Sequence, residues 1–301
     1  MSTHFPGRAA VKMTFIAARL PLYASLTRLD KPVGTLLLLW PTLTALWIAA
    51  DGTPSILLVA VFVAGTFLMR SAGCAINDAA DAHYDAHVKR TADRVVARGL
   101  VSRREAIGVA VALATCAALL LPLLNAAAIQ LAFIAVAIAA TYPLAKRFIP
   151  IPQLYLGVAF SFGIPMAFAA VSGVVPVVGW LLMLANAFWV IAYDTEYAMV
   201  DRDDDLRLRI KSSAIFFGRL DVIAVMASYA AFLSLLLTVG AAIGAAWPFY
   251  AGCVVAAGLA VYHFVLIRHR SREGCLRAFR HNNWVGAAVF AGTVLDHALR
   301  S

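Results

Sequence analysis

The sequence predicts an all-α, polytopic membrane protein with about nine transmembrane helices. Composition, the length of the apolar runs and the placement of basic residues all point there. Of 301 residues, 62% are hydrophobic and 14% charged, against about 25% charged in soluble domains. Apolar runs near the roughly 20 residues that cross a bilayer core lie at 33–50, 54–76, 106–124, 126–142, 154–171, 175–193, 222–245, 248–267 and 284–295. The last is short, with polar ends. Pro165 predicts a kink in the fifth run, and Asn282 and Asn283 are read as caps of the last helix.

The connections alternate in charge. Turns at 51–54, 124–125, 172–174 and 246–248 hold no Lys or Arg, while the loops between them are basic. With nine spans every basic loop falls on the side of the N-terminus, which the positive-inside rule makes cytoplasmic, with the C-terminus outside. Arg70, inside a span, and Arg300, at the C-terminus, are the exceptions. The net charge of +9 is therefore mostly topology, not a nucleic-acid footprint. Residues 1–27 read as a cytoplasmic segment without a cleavable signal peptide, because Arg8, Lys12 and Arg19 interrupt its short apolar pieces. Residues 28–301 read as one transmembrane domain. Of the four cysteines, Cys74, Cys116 and Cys253 lie in apolar runs and read as small buried hydrophobes; Cys275 lies outside them. His263 and His281 lack partners at ligand spacing.

The acids obey a different rule. Of sixteen Asp and Glu, three lie at 78–85 and six at 194–205. If the second span continues as helix, Asn77, Asp81 and Asp85 share one face, as do Asp194, Asp201 and Asp205 after the sixth. Asp81 to Asp201 and Asp85 to Asp205 are both 120 residues apart, and Lys89 and Arg209 follow four residues after each pair. This reads as two pseudo-repeats, 28–147 and 148–267, followed by the last helix.

Such ladders repel internally and favour a divalent cation. Mg²⁺ takes a partial set of carboxylates and completes its shell with water and phosphate. Lys89, Arg90, Arg94, Lys146, Arg147, Arg209 and Lys211 surround the two ladders in sequence, a pattern suited to a diphosphate shared between metal and cations. Lys146, Arg147 and Tyr142 also suit a membrane interface. Helices beneath a phosphate site call for a substrate with a lipid tail, such as an isoprenyl diphosphate. Its ionisation leaves an allylic cation that must be kept from water. Arg70 stands before the first ladder inside the apolar region, where a cation faces a cavity or snorkels. Asp194 precedes the metal pair and is positioned either to orient or deprotonate an acceptor or to serve as a third metal ligand.

Four stretches carry a family resemblance: 28–41 (RLDKPVGTLLLLWP), 69–94 (from MRSAGCAIND through Asp85), 142–147 (YPLAKR) and 193–212 (from YDTEYAMVD through Asp205 to KS). On these the chain resembles the UbiA superfamily of intramembrane prenyltransferases, and within it the bacterial branch acting on 4-hydroxybenzoate for ubiquinone synthesis. The resemblance implies nine helices around a central cavity with a cytoplasmic cap, in the cell inner membrane. It implies Mg²⁺ held by Asn77, Asp81, Asp85, Asp201 and Asp205, with Asp81, Asp201 and Asp194 catalytic. It further implies diphosphate binding by Lys89, Arg90, Arg94, Lys146, Arg147 and Lys211, and Arg70, Tyr142 and Asp194 near the aromatic substrate. The partners it implies are a polyprenyl diphosphate, 4-hydroxybenzoate and the lipid bilayer, with no nucleic acid. Arg70, Arg147 and Arg28 are the candidates for meeting the benzoate carboxylate. Asp93 and the Val95-Val96-Ala97 that follows depart from the family's Asn and Pro-Leu-Pro, which touches the cap and leaves the acids intact. Rival readings are a sister prenyltransferase with a naphthoate, homogentisate, haem or sugar-phosphate acceptor, and a transporter. Two acidic clusters on one side of the membrane argue against the inverted repeats of the latter.

Overall fold

A chain in hydrocarbon must satisfy its own backbone hydrogen bonds, and a helix does so within one segment. The computed structural model describes residues 19–300, and the side chains of all of these except 143–147. Lys146 and Arg147 fall among those five, so the roles expected of them lie outside the described residues. Every regular element among the described residues is helical. In chain order they are α1 (Val33–Ala49), α2 (Ile56–Asp85), α3 (Arg103–Ala118), α4 (Ala126–Phe148), α5 (Pro152–Ser161) and α6 (Gly163–Ser172). There follow α7 (Val177–Leu208), α8 (Ser213–Phe217), α9 (Asp221–Ala242), α10 (Trp247–Ile267) and α11 (Arg272–Arg300). Residues 19–26 are also helical.

Among the described residues, six helical stretches are long and apolar enough to cross a membrane: Ile56–Asp85, Arg103–Leu123, Pro152–Ser172, Val177–Leu208, Ser213–Ala242 and Trp247–Ile267. Val33–Ala49 and Ala126–Tyr142 are apolar but shorter. The chain is thus a multi-pass membrane protein. The expected ninth span, 284–295, is the middle of the 29-residue α11, whose polar residues keep it out of the apolar class. Where a kink is expected, the helix is interrupted at Phe162, between α5 and α6, because Pro165 has no N–H to bond the carbonyl of Ser161. Ser102 and Glu105 form a capping box that starts α3.

Helix α7 is the centre of the bundle, packed against α5, α9 and α11. Trp189, Tyr193, Tyr229 and Phe249 are among its largest fully buried neighbours and members. Helix α11 reaches this centre because Gly286 has no side chain. A Cβ there would lie 2.6 Å from Trp189 Cη2 and 2.8 Å from Trp40 Cδ1. Asn282 and Asn283 are not caps. They lie inside α11, where Asn282 Oδ1 accepts from Trp189 Nε1 at 2.7 Å and Asn283 Oδ1 from Trp40 Nε1 at 2.9 Å. Burial of two indole N–H groups required those acceptors.

The face of α7 behind the acidic ladder carries Glu196, fully buried and bonded to the Tyr229 hydroxyl at 3.1 Å and Asn282 Nδ2 at 2.8 Å. Tyr229 also meets His263 Nδ1 at 2.8 Å, and His263 Nε2 lies 3.1 Å from His281 Nδ1. Two histidines without partners at ligand spacing are therefore brought together by packing. Cys74, Cys253 and Cys275 are buried as free thiols, whereas Cys116 is exposed on α3. The expectation of burial fails there because an apolar helix in a bilayer turns one side to acyl chains rather than to protein.

Gly286→Ala should lower the melting temperature in detergent by several degrees, on the scale of an overpacked core, about 1–3 kcal/mol. Gly258→Ala, whose Cβ would meet nothing within 4 Å, should leave it unchanged or slightly raised.

Candidate active site

Helix α2 runs unbroken from its apolar start through Asp85, and α7 likewise through Asp205. Each therefore carries its acids on a continuous helical face. The two faces line one cavity of about 1300 Å³. Asn77, Asp81, Asp85, Asp194, Asp201 and Asp205 lie in its wall, joined by Arg70, Arg90, Arg94, Tyr142 and Lys211. Lys89 is not in the wall. Its side chain is exposed, and its backbone N–H bonds Asp204. Away from the acids the wall turns apolar, with Leu38, Val61, Phe62, Ala118, Leu121 and Phe133.

Arginines hold the acids in place. Asp78, 1% exposed, accepts from Arg28 Nη2 through both carboxylate oxygens, each at 2.8 Å. Arg94 lies 3.1 Å from Asp78 and 2.8 Å from Asp85, so it bridges two turns of α2. Arg90 Nε reaches both oxygens of Asp201 at 3.0 Å, and its Nη1 bonds the Tyr197 hydroxyl. The loop that follows α2 is thereby stapled to α7. Burial alone would lower the pKa of Arg90, but Tyr197, Asp201 and Asp85 outweigh it and raise it. That loop is also anchored from below. Val95, Val96 and Val101 are buried against Leu26, Ala75 and Ala106.

Arg70 is held differently. Its Nη1 donates to Cys74 Sγ at 2.9 Å, and its Cζ stands 5.8 Å from the Phe160 ring. Its Nε is buried without a hydrogen-bond partner, and among the described residues no carboxylate pairs with it. Arg28, by contrast, is engaged by Asp78 and by the Ser25 carbonyl. Tyr142 stacks on Tyr155 at 6.4 Å.

The residues that periodicity missed are Asp78, Arg28 as its partner, and Tyr197. Asp78 does follow a helical rule, since 78, 81 and 85 are spaced i, i+3 and i+7. Nothing in the sequence links it to Arg28, fifty residues earlier. No three His, Cys, Asp or Glu side chains among the described residues close into a metal cage.

The sequence profile of the UbiA prenyltransferase family matches residues 38–285. A protein named 4-hydroxybenzoate octaprenyltransferase from Cupriavidus metallidurans is 60% identical over 284 residues, covering 94% of this chain and 96% of that one. Among solved structures, the apo UbiA homolog from Aeropyrum pernix K1 superposes with a TM-score of 0.76 at 26% identity, over 87% of this chain and 97% of that one. A UbiA homolog from Archaeoglobus fulgidus, bound to GPP and Mg²⁺, shares the fold with a TM-score of 0.68 at 17% identity, over 92% and 99%.

Asp78→Ala removes the shared partner of Arg28 and Arg94. Limited trypsin digestion should then cut the loop after α2 several-fold faster, with a stability loss on the order of 3 kcal/mol. Unchanged digestion would show that Val95 and Val96 hold the loop unaided.

Proposed function

The chain belongs to the UbiA prenyltransferase family, and from that premise we propose that it prenylates 4-hydroxybenzoate. A polyprenyl diphosphate donates the chain to the ring carbon beside the phenol. The products are 3-polyprenyl-4-hydroxybenzoate, a ubiquinone precursor, and diphosphate. The observation that carries this reading is the joining of two acidic helix faces to an apolar wall in one cavity.

The donor set fits Mg²⁺. Asn77, Asp81, Asp85, Asp201 and Asp205 offer oxygen alone, and this ion is usually held by one or two carboxylates plus substrate phosphates rather than by a protein cage. Those five residues would hold it, and bound Mg²⁺ supplies charge neutralisation to the departing diphosphate.

The remaining roles fall to the chain itself. Arg90, Arg94 and Lys211 bind phosphate oxygens through charge-assisted hydrogen bonds. As the allylic carbon–oxygen bond breaks, its electron pair leaves with diphosphate. A ring π pair then forms the new carbon–carbon bond, and a ring proton departs. Leu38, Phe62 and their apolar neighbours hold the prenyl chain and keep water from the cation. Arg70 takes the acceptor carboxylate, because it lines the cavity as a guanidinium with no carboxylate of its own among the described residues. Asp194 and Tyr142 orient the phenol. The basic loops support an inner-membrane location with the N-terminus and the cap cytoplasmic.

Membranes containing the protein should move label from 4-hydroxybenzoate into an organic-extractable product when given a polyprenyl diphosphate and Mg²⁺. EDTA should abolish the transfer, and activity persisting in excess chelator would refute the metal assignment. Asp81→Ala and Asp201→Ala should each cut turnover by roughly 10²-fold or more in folded, membrane-inserted protein. Arg70→Gln should raise KM for 4-hydroxybenzoate about 10-fold and leave KM for the diphosphate unchanged. The reverse pattern would move Arg70 to the diphosphate.

A further inference from the structure

Gly34 lies in the first turn of α1 and lines the same cavity as Arg70. Its backbone conformation does not call for glycine, since its φ is not among the positive values of the chain. In a helix, glycine costs about 0.5–1 kcal/mol relative to alanine. The compensation is space. A Cβ at residue 34 would stand 2.6 Å from Arg70 Nη2, 3.0 Å from Nε and 3.2 Å from Cζ. The three nearest atoms all belong to one guanidinium, so the slot left by the missing side chain is filled by Arg70.

The other sides of that group are set by different elements. Cys74, one turn further along α2, accepts from Nη1, and Phe160 of α5 lies beside the guanidinium carbon. Three helices thus bracket the group, and the α1 side contributes only an absence of atoms. A methyl group there would have to push the guanidinium aside.

We propose that Gly34 is a positioning residue: the gap it leaves in α1 seats the Arg70 guanidinium toward the cavity and thereby sets affinity for the anionic end of the aromatic acceptor. This rests on the reading of Arg70 as the group that takes the acceptor carboxylate. An acceptor without that charge should be indifferent to residue 34.

The test is steady-state kinetics in membranes with Mg²⁺ and a polyprenyl diphosphate, comparing Gly34→Ala, Arg70→Gln, their double variant and Gly108→Ala, whose Cβ would meet nothing within 4 Å. Gly34→Ala should raise KM for 4-hydroxybenzoate about 10-fold, leave KM for the diphosphate unchanged, and spare binding of neutral 4-hydroxybenzamide. In the Arg70→Gln background the same change should add less than about twofold. If Arg70→Gln weakens 4-hydroxybenzoate and Gly34→Ala does not, the role of Gly34 falls while the reading of Arg70 stands. If neither variant weakens it, both fall. A rise in both Michaelis constants, or a full Gly34→Ala effect persisting without the guanidinium, overturns the proposal by showing a general defect in α1. Should Gly34→Ala fail to fold, the double variant decides. Recovery of the fold once the guanidinium is gone supports the slot, and no recovery overturns it.

Discussion

Carboxylates at the end of a greasy helix are costly to bury, and the pairing of Asp78, Asp85 and Asp201 with arginines is what the structure depends on. Arg94 spans Asp78 and Asp85 on α2, Arg28 doubles on Asp78, and Arg90 closes on Asp201 of α7. Breaking such a pair strands a charge, so the loop carrying Arg90 and Arg94 is committed to the two helices it covers. The same arginines are then available to a phosphorylated substrate, because a guanidinium bonds phosphate as readily as carboxylate. In the proposed reaction, stability of the cap and recognition of the substrate draw on one set of groups.

Much of this was legible in the sequence. Apolar length and basic loops marked the helices, and the fourfold spacing of acids marked which helix ends face a common space. Both ladders do line one cavity. What was not legible depends on groups distant in the chain. Asn282 and Asn283 look like caps until Trp189 and Trp40 arrive beside them. Lys89 looks equivalent to Arg90 until the loop turns one outward and the other toward Asp201. Helix α11 looks like a short span because hydropathy sees only its middle, whereas glycine-mediated contact with α1 and α7 carries it much further.

The two faces of α7 divide the work. One presents Asp194, Asp201 and Asp205 to the cavity, and the other fastens Glu196 to Tyr229 and Asn282. A buried carboxyl so fully bonded resists rotation of the helix about its axis. The precision of the ladder is thereby maintained from behind, by residues that do not line the cavity.

The unbroken course of α2 has a consequence for the surrounding lipid. Its 30 residues extend for about 45 Å at 1.5 Å each, beyond a hydrocarbon core of about 30 Å. A bilayer whose thickness does not match the apolar part is accommodated by tilt. With no hinge between that part and Asp85, the tilt passes to the acids, and the chemistry of the head group becomes sensitive to hydrophobic mismatch.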